Sequence, residues 1–271
     1  MEKTVKIKEE IKKEIEFHDE WAKSIDEKKV MVDEFFEACT SPENRKILKY
    51  LGDVKDKKIL DLGCGAGEAA VYFAKKGADV TAVDISEGML NVVERVAKLH
   101  GVSVKTKACI APYLDFNDEE FDIVYAANLL HHVDIEETLK EVKRVLKKGG
   151  IFVSWDPLHH NPLIRVYRKI ATKVRTEDEH PLKISDLKVF KKYFSHVEYD
   201  ATWFLTLWIF LRFYFIERVD PNKERYWKKI LLEHKRLENT YKRLEKIDNI
   251  LLNLFPFLKR YCWNIVTFCK K

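Results

Sequence analysis

The chain has 271 residues, 46% of them hydrophobic and 34% charged. That balance suits one well-buried α/β-sized domain plus an elaboration, and it excludes a largely disordered chain. The net charge of +5 is unevenly spread: Ala201 to Lys271 holds 15 Lys/Arg against 7 Asp/Glu, and the rest is slightly acidic. Cys39, Cys64, Cys109, Cys262 and Cys269 form no C-x-x-C pair and have no histidine cluster beside them, so neither a disulfide framework nor a metal site is expected.

Taken in chain order, residues 1–52 read as a helical extension. Ile7, Ile11 and Ile15 recur every four residues, Phe17, Trp21 and Ile25 follow, and Ser41-Pro42-Glu43 has the form of a helix start. The first residues, MEKTVKIKEEIKKEIE, are charged throughout and lack the apolar segment of a secretory signal, so a cytoplasmic location is expected. From Lys58 the pattern changes to strands alternating with helices. Lys58–Asp61, Ala78–Asp84, Val102–Cys109, Phe121–Ala127 and Ile151–Trp155 read as strands, with helices over Ala69–Lys76, Ser86–His100 and Ile135–Leu146. Such alternation implies βαβ units and a parallel sheet. After Pro157 comes an excursion to Leu182 rich in His and Arg, then a helix over Ser185–Tyr193 and a sixth strand over His196–Thr202. Trp203–Ile216 is densely apolar, Asn222–Leu254 has a long helical pattern, and Cys262–Phe268 reads as a last strand. The core is thus expected over 53–202 and 261–271, with a helical insertion over 203–260.

The segment Asp61-Leu62-Gly63-Cys64-Gly65-Ala66-Gly67 lies between the first strand and the first helix. Glycines there allow a tight turn and close approach of a ligand, and a carboxylate at the strand end attracts an amino group. Seventeen residues past Gly67, Asp84 ends the second strand, where a carboxylate can accept hydrogen bonds from ribose hydroxyls. Dinucleotide sites use G-x-G-x-x-G with a pyrophosphate at the helix N-terminus. Here the spacing is G-x-G-x-G, with Glu68 next and no basic residue in the loop, which favours a ribose-bearing ligand without phosphate and disfavours an NAD-dependent dehydrogenase.

These residues resemble motif I and the acidic second-strand motif of class I S-adenosylmethionine-dependent methyltransferases. FDIVYAANLLHHV, from Phe121, resembles their fourth-strand motif, and LKEVKRVLKKGGIFV, from Leu139, resembles the helix and fifth strand. The resemblance runs from about Lys57 to Asp156 and points to the ubiquinone/menaquinone-biosynthesis-type (type 11) group. It implies a Rossmann-like, mostly parallel seven-stranded sheet with helices on both faces and an antiparallel last strand, with S-adenosyl-L-methionine as cofactor. Asp61, Gly63 and Gly65 are implied at the methionine end, Gly67 at the turn, Asp84 at the ribose, and Ile85 and Met89 flanking the adenine. Ile110-Ala111 occupies the third-strand position, where the family often has a side-chain acceptor. Its absence implies that backbone groups serve the adenine. Asn128 is implied beside the methionine end.

Methyl transfer from a sulfonium needs alignment and exclusion of water, and a base only where the acceptor keeps its proton. His131 and His132, just after the fourth strand, are the candidate bases; His159, Asn161, Arg165, Tyr167, Arg168 and His180 in the excursion are further acceptor-side candidates, with helix capping or solvated charge as the structural reading. The acceptor is expected to be small and hydrophobic, with a polar metabolite or a protein side chain as the alternative; a catalytically silent S-adenosylmethionine-binding regulator is the other class. Basic residues interleaved with Glu, and no RNA-binding module, speak against a nucleic-acid partner. Trp203–Ile216 is too short to span a bilayer. It reads as a wall of a buried acceptor pocket, as part of a peripheral membrane contact through 203–260, or as a dimer interface.

Overall fold

The computed structural model describes residues 2–171 and 180–271, with the backbone alone for residues 2–10. The Arg175–Glu179 part of the excursion lies outside the described residues. The strands are β1 (Lys58–Leu62), β2 (Asp79–Asp84), β3 (Lys105–Ala108), β4 (Phe121–Ala127), β5 (Leu146–Pro157), β6 (His196–Thr202) and β7 (Asn264–Lys270). They form one sheet in the order β3-β2-β1-β4-β5-β7-β6. β1 to β5 pair in parallel, and β7 runs antiparallel between β5 and β6. The fold is therefore Rossmann-like, with a helical N-terminal extension and a helical insertion before the last strand.

Strand residues alternate between faces, which divides the core in two. Ile59, Ile123, Val153 and Val266 pack under α4 (Glu68–Lys75) and α5 (Glu87–Leu99). Leu60, Val124, Phe152 and Ile265 pack under α6 (Ile135–Val145) and α8 (Leu187–Tyr193). Helices on both faces explain why the parallel strands are apolar on both sides.

The N-terminal extension forms α1 (Glu2–Lys23), α2 (Val32–Glu37) and α3 (Pro42–Leu51). Ser41 precedes α3 as expected, with Pro42 at its first turn, but the Ser41 hydroxyl donates to the Phe35 carbonyl instead of capping the helix. After β5 come α7 (Pro162–Ile170) and then α8. The insertion contributes α9 (Trp208–Phe215), α10 (Tyr226–Leu232) and α11 (His234–Leu254); the single long helix expected from Asn222 is divided at Glu233, whose ψ of 15° departs from helical geometry.

The last strand starts two residues later than expected. The Trp263 N–H turns to the Thr202 and Trp203 carbonyls at 3.1 and 3.0 Å, and Trp203 has φ of +65°. A bulky residue holds that left-handed conformation only where its surroundings fix it. Here the Trp203 ring sits among Phe210, Tyr241 and Trp263, with centroids 5.2–5.9 Å away. These rings, with Ile164, Phe213, Tyr226 and Ile230, make a third core belonging to α7 and the insertion. Buried Asp248 of α11 anchors its entry. It accepts from the Phe204, Leu205 and Thr206 N–H groups and from the Thr206 hydroxyl, at 2.7–3.2 Å.

Candidate active site

β1 delivers Asp61 and the glycine turn to the carboxyl edge of the sheet. Gly63, Gly65 and Gly67 all have positive φ, of 73°, 50° and 87°. A Cβ on Gly63 would lie 2.8 Å from Leu129 Cδ1, and one on Gly67 2.9 Å from Val93 Cγ2, whereas nothing lies within 4 Å of that position on Gly65. Packing thus demands glycine at the two ends of the turn, while the middle presents bare backbone to open space. The turn is tied to β2. Gly63 and Cys64 donate to the Val83 carbonyl at 2.9 and 3.0 Å, and Gly65 N–H donates to Asp84 Oδ2 at 3.0 Å. Asp84 Oδ1 accepts from Ser86 N–H, and Ser86 Oγ accepts from Met89 N–H to cap α5.

Three carboxyls gather at this turn. Asp61 is buried and its Oδ2 has no hydrogen-bond partner. Burial pushes its carboxyl up to about 8; the Ala70 N–H opposes this, and the nearby Glu68 and Asp84 add to it. Burial also raises Asp84 against the pull of the Ser86 and Gly65 N–H groups, and raises Glu68. A cationic ligand would relieve all three. S-adenosylmethionine, with its ammonium and sulfonium, fits this donor set: an orphaned carboxyl oxygen at Asp61, an open glycine at Gly65 and a second acid, Asp84, at the end of the neighbouring strand.

The other expected cofactor residues fall around the same edge. Ile85 is half-buried and Met89 fully buried beyond Asp84. Cys109 N–H donates to the Asp84 carbonyl, placing Ile110 and buried Ala111 next to the end of β2; the Ile110 carbonyl accepts from Tyr113 N–H. Asn128 is exposed at the end of β4, with φ of +53° and its N–H on the Trp155 carbonyl, one residue before the Leu129 that packs on Gly63.

The two candidate bases have different surroundings. His131 is buried, its Nδ1 2.8 Å from Asp156 Oδ1 at the end of β5. Burial pushes Asp156 up to about 8, opposed by the His131 N–H, the charge of His132 and the Leu130 and Leu129 N–H groups. The His132 ring lies against His131, 4.1 Å between centroids and tilted by 42°, and turns its Nδ1 to Glu14 of α1 at 3.6 Å. His18 Nε2 also lies 3.4 Å from Glu14. Burial raises the Glu14 carboxyl, but the two histidines outweigh it and hold it well below the ordinary range.

α1 thus lies across the edge as a roof. Asp19 accepts from the Ser86 hydroxyl at 2.5 Å and from Gly88 N–H at 3.1 Å. A Cβ on Gly88 would approach Asp19 Oδ1 to 2.9 Å, so glycine lets the two helices meet. Near the same end Trp21 carries the Arg225 guanidinium 4.1 Å from its ring centroid, a cation–π contact that reaches α1 from the insertion. Lys228, also from α10, acts on Glu68. The insertion therefore reaches the edge with cations. Trp203, Phe210 and Phe213, expected to wall an acceptor pocket, pack into the third core instead, and Trp208 is 55% exposed. Glu14, Asp19, Asp156 and Arg225 were not singled out in the sequence. Asp156 had a readable signal, since it ends β5 as Asp84 ends β2; Glu14 and His18 are spaced four apart on one helix face.

Residues 60–154 match the family model described as Methyltransferase domain. Over this stretch the chain is similar to class I S-adenosylmethionine-dependent methyltransferase domains of the type 11 group. The chain is 30% identical over 127 residues to the ubiquinone biosynthesis O-methyltransferase of Hydrogenovibrio crunogenus, covering 45% of this chain and 51% of that one. It is 32% identical over 111 residues to the enzyme of the same name from Coxiella burnetii, covering 41% and 47%. The match thus spans about half the length of these curated relatives. Among solved structures, phosphoethanolamine N-methyltransferase 2 of Haemonchus contortus in complex with S-adenosyl-L-methionine superposes with a TM-score of 0.58 at 24% identity, over 84% of this chain and 52% of that one. The YcgJ protein of Bacillus subtilis superposes with a TM-score of 0.53 at 20% identity, over 84% and 97%. These two likenesses extend the shared fold to most of the chain.

Proposed function

We propose that the protein transfers the methyl group of S-adenosylmethionine to a small acceptor by in-line displacement. The observation that carries this reading is the orphaned, buried Asp61 carboxylate beside the open Gly65 backbone, in a turn that Asp84 holds in place. When bound, the cofactor supplies a methyl group already activated on a sulfonium. Asp61 would hold its ammonium and Asp84 its ribose hydroxyls. Ile85 and Met89 would flank the adenine, backbone groups of Ile110 and Ala111 would meet its polar edge, and Asn128 would sit at the methionine end. The chain's own contribution is alignment and exclusion of water, for which α1 provides the cover.

For an acceptor that keeps its proton, His131 is the base. With its Nδ1–H donated to Asp156, the ring lone pair is on Nε2. His132, turned to Glu14, serves the roof. An apolar body for the acceptor is supported by Phe17 and Trp21 on the roof helix and by the quinone-pathway names of the relatives. The deciding experiment incubates the protein and a metabolite extract with methyl-labelled S-adenosylmethionine. Label in a small molecule that partitions into organic solvent supports the reading, and label only in polar metabolites or protein overturns the apolar acceptor. Cofactor binding without any labelled product, across extracts, would make the protein a binding regulator.

A further inference from the structure

Of the membrane contact expected over 203–260, Trp203, Phe210 and Phe213 pack into the third core while Trp208, Tyr214, Phe215 and Ile216 stay exposed, and the end of that segment together with α7 forms a further surface with the required features. α7 reads PLIRVYRKI, with three cations and no acid. Its Ile164 is buried, while Leu163, Val166 and Ile170, on the opposite side, are 41%, 57% and 37% exposed. The start of α7 is joined to the helical turn Pro256–Tyr261 by the Asn161 side-chain amide, which donates to the Tyr261 carbonyl. That turn and the end of α11 expose Leu254, Phe255, Phe257 and Tyr261. At this junction His160, next to Asn161, is acted on, after its own burial, by the charges of Arg260, His159, Lys183 and Arg165. No carboxylate among the described residues pairs with Arg165, Lys183 or Arg260.

We infer that α7 and the Pro256–Tyr261 turn form a docking surface for an anionic lipid bilayer. Exposed aliphatic and aromatic side chains beside uncompensated cations match the boundary between headgroups and acyl chains. A single face of this kind lets a helix lie in the interface, and among the described residues no helix is long and apolar enough to cross it. The same α7 follows β5, whose end holds Asp156, so docking would bring the acceptor side of the cleft to the bilayer. The surface does not depend on the methyl-transfer reading.

The test is co-sedimentation of the full chain with vesicles of phosphatidylcholine alone and of phosphatidylcholine with about one-third phosphatidylglycerol. The expected result is sedimentation with the anionic vesicles only, weakened by added salt. Neutralising Arg165, Lys169 and Arg260 to Gln, one at a time, should each lower the partition about fivefold. Leu163→Ser with Val166→Ser should abolish it, while affinity for S-adenosylhomocysteine stays unchanged and reports an intact fold. Equal sedimentation with both vesicle types, none with either, or no effect of these substitutions would overturn the proposal. So would a self-associated species by analytical ultracentrifugation that the serine pair dissolves, since the face would then belong to a second copy.

Discussion

The cofactor edge and its roof are built in opposite ways. Asp61, the glycine turn, Asp84 and the cap of α5 lie within about thirty residues of one another, and hydrogen bonds inside that stretch join Gly65 and Ser86 to Asp84 and Met89 to Ser86. The roof is assembled from remote segments: Glu14 meets His132, Trp21 meets Arg225, and Thr40 donates to the Ile230 carbonyl. Arg45 pairs with Glu245, and buried Glu43 accepts from Thr202 and Asn264. The local half coincides with the family match at 60–154. The lesson is that donor chemistry is a property of a short motif, whereas the acceptor side is a property of how this chain closes over it.

That contrast can be broken at several points. The largest effect is expected at His131. His131→Ala should lower kcat about 10²- to 10⁴-fold for an acceptor that must lose a proton, with affinity for S-adenosylhomocysteine unchanged, while His132→Ala should change kcat less than about tenfold. A larger loss for His132 in steady-state kinetics would reverse the assignment. Next is the anchor of the insertion. Asp248→Ala removes the acceptor of four hydrogen bonds and should destabilise the protein by on the order of 2–3 kcal/mol in urea unfolding. An unchanged midpoint would mean that the insertion does not unfold with the rest.

At the local half, Asp84→Ala should weaken cofactor binding by about 1.5–3 kcal/mol, the range for hydrogen bonds to a charged group. Unchanged affinity by calorimetry would remove Asp84 from the site. The smallest effect is expected at the edge of the roof. Glu14→Gln weakens a partly exposed contact to His18 and His132, so cofactor affinity should fall by only about 0.5–1 kcal/mol. Stopped-flow measurement should show this as faster release with little change in capture; slower capture instead would mean that α1 does not act as a cover.

Legibility followed the same division. The alternation of strands and helices and the G-x-G-x-G turn are short-range patterns, so the parallel sheet and the place of the Asp61–Gly67 turn and Asp84 at its carboxyl edge could be read from the sequence. The antiparallel last strand came from the family resemblance, although the sixth strand was located to the residue at His196–Thr202. The roof was legible only as helices. The 3.6-residue period shows which face of α1 is buried but not that Glu14 will find His132, more than a hundred residues away. The aromatic run from Trp203 had one hydrophobic signature for two fates, a ligand wall or a core. The positive φ at Trp203 and the Asp248 anchor that select the core are invisible to periodicity.

On this reading a cationic ligand satisfies the Asp61 carboxyl, which burial otherwise keeps mostly protonated below pH 8. In the free protein the Asp61 carboxyl is raised to about 8, so it is mostly neutral at pH 6.5 and must ionise to hold an ammonium. Affinity should therefore climb with pH, by at most about tenfold per unit, and level off above about 8. The most direct test is calorimetric titration with S-adenosylmethionine at pH 6.5 in two buffers of different ionisation enthalpy. The account predicts one-to-one binding with release of about one proton, a release that disappears in Asp61→Asn. Binding without proton release, or comparable binding of NAD, would contradict it.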